Sequence, residues 1–183
     1  MYPVSDGFLR AVKSNTRKYY WTGTIVTKGG MTYEFGAKEI LKGSGYISRQ
    51  CCGSTAIELG TVYAAEMGIT LLSDIDRYTL EDAQVTLVFH LVLADGSVED
   101  VPMGVFEVSE ANRLAKCLEL KAYDFMLRFD KSFNGFETVG TAYDFIALCC
   151  KMCRVKLAHK RAEIDAMPNG GVTLSVYTEN DIE

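Results

Sequence analysis

The chain has 183 residues, 48% of them hydrophobic and 23% charged, with a net charge of −5. These are globular proportions, which excludes disorder as the global state, and the acidic balance opposes general nucleic-acid binding, which needs clustered positive charge. No apolar run approaches the roughly 18–20 residues of a membrane span, and the N-terminus lacks the continuous apolar core of a signal peptide, so synthesis and folding in the cytoplasm are expected.

Residues 1–13 read as a short amphipathic helix or an irregular arm, with Phe8, Leu9 and Val12 as its apolar edge. Tyr19 to Thr27 is aromatic and β-branched, Lys28-Gly29-Gly30 follows, and Met31 to Phe35 alternates apolar and polar. Two strand patterns around a Gly-Gly turn predict a β-hairpin over 19–35. Glu39-Ile40-Leu41 and Gly45-Tyr46-Ile47 are further short strand pieces. Glu58 to Leu72 reads as a bent strand, because Gly60 and Gly68 would each cost a helix about 1 kcal/mol relative to alanine.

Gln84 to Leu93 is a strand with Val85, Leu87, Phe89, Leu91 and Leu93 on one face and Thr86, Val88, His90 and Val92 on the other. Ala94-Asp95-Gly96-Ser97 is a turn, since Asp-Gly tolerates positive φ. Val98 to Val108 returns as a second strand, and Ala115 to Ala122 as a third, with Leu118, Leu120 and Ala122 opposite Cys117, Glu119 and Lys121. From Tyr123 to Phe133 the apolar spacing turns helical. Gly135 and Gly140 bracket a loop. Thr141 caps a helix whose first turn carries Asp144 and whose buried stripe is Ile146, Cys149, Cys150 and Cys153. Val155 to Leu157 is a short strand candidate, Ala162 to Met167 a helical turn, Pro168 to Gly171 a turn and Val172 to Tyr177 a last strand.

The expected fold class is α+β: an antiparallel β-barrel or curved-sheet body over residues 1–122, then a smaller α+β segment over 123–183. The closing YTENDIE offers Thr178, Asn180 and Asp181 as capping residues with no helix after them. That segment is therefore expected to be incomplete at its C-terminal end. Charge is segregated along the chain. Residues 1–50 hold eight Lys/Arg against three Asp/Glu, and residues 51–100 one Arg against nine Asp/Glu. Such a split permits one face of a subunit to meet the opposite face of a neighbour; two separately solvated surfaces are the plainer reading.

Cysteines lie at 51, 52, 117, 149, 150 and 153, as adjacent pairs and a helical cluster rather than a dispersed disulfide framework. Cys150-x-x-Cys153 has the spacing of a zinc-ligand or redox pair. Cys51 and Cys52 are too close together to chelate jointly, and His159 is only a possible extra ligand, so reduced core thiols are favoured. Nucleophilic Cys–His catalysis has only His90 and His159 to draw on; a cross-strand surface histidine and a solvated loop histidine are the plainer readings. Asp74, Asp76, Glu81 and Asp82 form an acidic loop without calcium-loop spacing. No glycine-rich phosphate loop follows a strand. The residues thus assign no catalytic, cofactor-binding or metal site, and no cofactor.

Four stretches carry a resemblance: ELGTVYAAEMGITL, PMGVFEVSEANR, CLELKAYDFMLRFD and TVGTAYDFIALCCKMCRVKLA. In this order the chain resembles the N-terminal region of siphophage and prophage tail hub proteins, the tail-associated lysin or baseplate hub family. The resemblance implies a non-enzymatic virion structural protein of the tail tip. It implies a homotrimeric ring when full-length, joining the tail tube or distal tail protein to other tip proteins, with any cell-wall hydrolase lying in a separate C-terminal region. From the charge and hydropathy, no membrane partner and no sequence-specific nucleic acid are expected. Two other classes stay open on the residues alone. One is a carbohydrate- or receptor-binding β module, motivated by Tyr19, Tyr20 and Trp21; the other is a cysteine- or zinc-dependent enzyme.

Overall fold

Period-two alternation decides which side of each strand is inside. In the computed structural model, which describes residues 2–50, 63–131 and 138–176, two compact units occupy Met1–Leu127 and Arg128–Glu183.

The first unit opens with α1 (Asp6–Lys13), where the Ser5 hydroxyl oxygen accepts the Phe8 N–H at 3.0 Å and Ser5 N–H donates to Glu99 at 2.8 Å. Phe8 meets Phe89 edge-on, with ring centroids 6.4 Å apart. Next come β1 (Lys18–Val26), β2 (Thr32–Phe35), β3 (Tyr46–Ser48), β4 (Glu66–Leu72), β5 (Gln84–Val92), β6 (Val98–Leu114) and β7 (Cys117–Asp124). They make one seven-stranded antiparallel sheet in the order β2-β1-β5-β6-β7-β4-β3. The sheet is curved and is not closed into a barrel.

Curvature follows from β6. Its first half pairs with β5 and its second half with β7, and register shifts interrupt it opposite Leu87/Val88 and at Val108/Glu110. An extra residue in one strand bends it and raises its twist. Gly104, at φ 120°, supplies the first bend. Curling brings Ile25 and Phe35 into one core with Met67, Ile69, Leu71, Val85, Leu87, Phe106, Leu118 and Leu120. Each large apolar side chain fully buried there contributes about 1.5–3 kcal/mol. Ile40 bridges to Leu71, and Leu72 N–H donates to the Glu39 carbonyl at 2.6 Å.

Between β4 and β5, a 3-10 turn at Arg77–Leu80 tucks Leu80 into the core, and Asp76 accepts the Tyr78 N–H at 3.1 Å. Arg113 holds this connection by donating to the carbonyls of Ser73, at 2.7 Å, and Ile75.

The second unit, taken by itself, pairs β8 (Thr138–Gly140) with β9 (Leu174–Val176) and adds α2 (Ala142–Met152) and α3 (Arg161–Asp165). Asp144 accepts from the Thr141 N–H at 2.9 Å and from the Arg161 guanidinium. The Arg161 hydrogen bond and then the Thr141 N–H lower its pKa to about 2. The folded carboxyl is thus more acidic than an unfolded one near 3.9. Its contribution to stability is therefore present above about pH 4 and is lost as pH falls through about 2. A carboxylate NMR titration is expected to place Asp144 near 2, and Arg161→Ala to move it back toward 4. A midpoint of about 4 in the unaltered protein would remove this account.

The hairpin expected over 19–35, the strand piece at 45–47, the strand at 84–93 and the capped helix at 141–153 form as β1–β2, β3, β5 and α2, with ends shifted by about a residue, whereas the piece at 39–41 gives only the isolated bridge at Ile40. Residues 58–62 of the bent strand lie outside the described residues, and β4 accounts for its later half. Five readings need correction. The strand beginning at Val98 continues to Leu114, because the bulge at Ser109 restores alternation after an apparent break. The helical reading of 123–133 does not hold over its described part: Tyr123 lies in β7, and Phe125–Phe129 is a 3-10 turn with no buried residue to reward a helix, while 132–133 lie outside the described residues. Thr138–Gly140, read as loop, is a strand. Val155–Leu157 is not one, since its first N–H closes the end of α2 on the Cys150 carbonyl at 2.8 Å, beyond Arg154 at φ 54°. Within the cysteine stripe, Cys150 and Cys153 are buried, but Ile146 is 40% exposed.

Candidate functional site

His90 stands on the outer face of β5, opposite the core. Register sets Tyr20, His90 and Asp100 side by side on three strands. The Asp100 carboxylate lies 2.5 Å from Nδ1, and Nε2 lies 2.7 Å from the Thr22 hydroxyl. The Tyr20 ring stacks on the imidazole at 4.5 Å. With Asp100 accepting the Nδ1 proton, Nε2 accepts from Thr22, the order of groups that activates a hydroxyl nucleophile. Acyl transfer also needs donors aimed at the oxyanion. The cavity beside Thr22 is lined instead by Glu34 and Glu39, and the Gly36 N–H on its rim already donates to Glu39 at 2.9 Å. Carboxylates there oppose a developing negative charge. The geometry ties three strands together on the face away from the core.

The thiols read differently. Burial, then the neighbouring Cys149 and Cys153, push the Cys150 thiol up, away from the reactive thiolate. Cys117, Cys149, Cys150 and Cys153 are all free. His159 is exposed, and among the described residues no three His, Cys, Asp or Glu side chains are placed to hold a metal ion. Cys51 and Cys52 lie outside the described residues. Cys150→Ser places a hydroxyl in this apolar setting and is expected to cost about 1–3 kcal/mol in chemical denaturation. A change below about 0.5 kcal/mol would mean that the hydroxyl finds a partner.

Two members of the acidic loop have partners within the fold. Asp76 caps the 3-10 turn, and Asp82 pairs with Lys28 at 2.8 Å. Tyr19, Tyr20 and Trp21 do not make one aromatic platform: Tyr19 and Trp21 pack near Phe89, while Tyr20 covers His90 from the other face.

Two features escaped the sequence. One is a polar cluster on β3, β4 and β7, in which Glu66 accepts from Tyr46 at 2.6 Å and Tyr123 at 3.1 Å and lies 3.4 Å from Lys121. The Tyr46 hydrogen bond holds the Glu66 carboxyl low, and the same contact raises the Tyr46 phenol. Only strand register discloses it. The other is a cavity of about 560 Å³ beside β1, lined by Arg17, Lys18, Trp21, Ile40, Lys42 and Val92 among others. The cationic, aromatic stretch at 17–21 was its sequence signal.

No family model matches the chain, and neither does any curated protein. Among solved structures, a chain of the virion of a native gene transfer agent particle is similar, with a TM-score of 0.47 and 14% identity, over 91% of this chain and 56% of that one. This chain thus spans about half the length of that one. No described helix is long and apolar enough to cross a membrane.

Proposed function

We propose that the chain is a non-catalytic structural module of a phage or prophage tail tip. In this reading it belongs to the hub that joins the tail tube or distal tail protein to the tip, and it assembles as a homotrimeric ring. The tail placement and the ring size come from the resemblance of the four sequence stretches to tail hub proteins.

The observation that carries an assembly role is a row on the outer face of the sheet. Leu72, Cys117 and Leu114 are cross-strand neighbours, and the two leucines are 45% and 82% exposed. Large apolar side chains grouped on an outer face mark a contact surface. The carbohydrate-binding alternative was motivated by the aromatics at 19–21, which contact rings on two faces rather than forming one platform.

Light scattering on the polypeptide carrying this module, alone and with its distal tail partner, tests the reading. A closed ring is expected, and Leu72→Asp with Leu114→Asp is expected to dissolve it while leaving the circular dichroism unchanged. A monomer at micromolar concentration even with the partner present would overturn it.

A further inference from the structure

β1 is covered unevenly. It pairs with β5 along its whole length, from Lys18↔Val92 to Val26↔Gln84, but β2 covers only Gly23–Val26. Among the described residues, Lys18–Thr22 has no strand partner on the side away from β5. In an antiparallel ladder alternate residues turn their N–H and C=O to opposite sides, so this stretch offers unpaired donors and acceptors along an edge. A lysine on an edge commonly guards against pairing. What distinguishes this edge is the cavity of about 560 Å³ that borders it.

The cavity has an apolar interior and a cationic rim. Trp21, Ile40 and Val92 line it, with Arg17, Lys18 and Lys42 around them and, among the described residues, no carboxylate in the lining. Two glycines, Gly43 and Gly45, also line it. A Cβ built at Gly43 meets nothing within 4 Å, and one at Gly45 meets only the Trp21 ring, at 3.8 Å.

We propose that this edge is a strand-addition site for an extended acidic segment of a partner polypeptide. The incoming backbone continues the sheet beyond β1, and alternate side chains enter the cavity while the others face the cationic rim. An aliphatic or aromatic residue suits the interior, and Asp or Glu suits the rim. At about 3.4 Å per residue the uncovered stretch accepts four to six residues. The site is independent of the ring reading, whose contact row lies on β4, β6 and β7.

The probe is the synthetic peptide acetyl-Glu-Val-Glu-Phe-Glu-Val-Glu-amide, with a lysine-for-glutamate analogue as control. Trp21 is the only tryptophan in the chain, so its emission reports on the cavity. A saturable change in that emission is expected with the acidic peptide and none with the lysine analogue. Binding is expected to weaken as salt rises, with amide shifts in NMR centred on Lys18–Thr22. Lys18→Glu with Lys42→Glu, both at exposed positions and checked for folding by circular dichroism, is expected to weaken binding at least about tenfold. Absence of saturable binding would overturn the proposal. So would equal binding of both peptides, an unaffected double variant, amide shifts confined to β3, or self-association through β1 in place of peptide binding. Loss of the ring by the leucine variants with peptide binding intact would separate the two proposals.

Discussion

Phe106→Ala is expected to lower the free energy of unfolding by about 3–5 kcal/mol. Phe106 is 1% exposed and is, among the described residues, the largest fully buried side chain. It sits where β6 passes from one partner to the other, paired with Val85 on β5 and with Asp124 on β7. Truncation removes the ring's transfer free energy and leaves a cavity that the curved sheet fills poorly. The strands flanking it are fixed by continuous ladders on both sides. A Cβ built at Gly104 lies 3.6 Å from the Phe106 ring, so the bend in β6 loses its packing support as well. Urea unfolding followed by Trp21 fluorescence measures the loss, since Trp21 packs against the same core. A loss under about 1 kcal/mol would mean that the site collapses and that Phe106 is not central to the core.

Gly23→Ala is the second large effect, on the order of 1–3 kcal/mol, and arises from overpacking. Gly23 is paired with Phe35 on one side and Leu87 on the other. The Phe35 ring lies across it: an added Cβ would sit 2.3 Å from the ring and 2.7 Å from the Thr86 carbonyl oxygen. The ring can turn aside only by leaving its buried position, and the carbonyl belongs to the sheet backbone. Removing the obstacle should relieve part of the cost. Gly23→Ala combined with Phe35→Leu is expected to be more stable than the sum of the two single losses. That coupling, of about 0.5–3 kcal/mol, is read from a double-mutant cycle. Additive losses would show that the Thr86 carbonyl, and not the ring, is the obstacle.

Both effects depend on features that the sequence discloses to different degrees. Phe106 falls within a strand pattern, and its burial follows from alternation with Val108. The close approach at Gly23 follows from the pairing of β1 with β2, which the Gly29-Gly30 turn foreshadows, but the position of the ring does not. The Thr22–His90–Asp100 arrangement was illegible for the same reason. Its members are 68 and 10 residues apart along the chain, and only the β1–β5–β6 register aligns them. His90 alone read as a surface histidine; in place it is a half-buried strand tie.

By itself the sequence determined the local elements whose periodicity is strong. Period-two alternation over 84–92 and 117–122 fixed the inner faces, because one face of a half-buried strand must be apolar. Thr141 and Asp144 fixed the start of α2, because orphan N–H groups at a helix end need an acceptor. Tertiary structure decided the rest. Bulges in β6 chose a curved sheet over a closed barrel, since they set how far the sheet turns before its edges meet. Packing chose which part of the cysteine stripe is buried, covering Cys150 and Cys153 but leaving Ile146 in solvent. Among the described residues, the short reach of β2 leaves Lys18–Thr22 of β1 without a strand partner beside the cavity; a strand's length is legible in sequence, but what its neighbour fails to cover is a property of the assembled sheet.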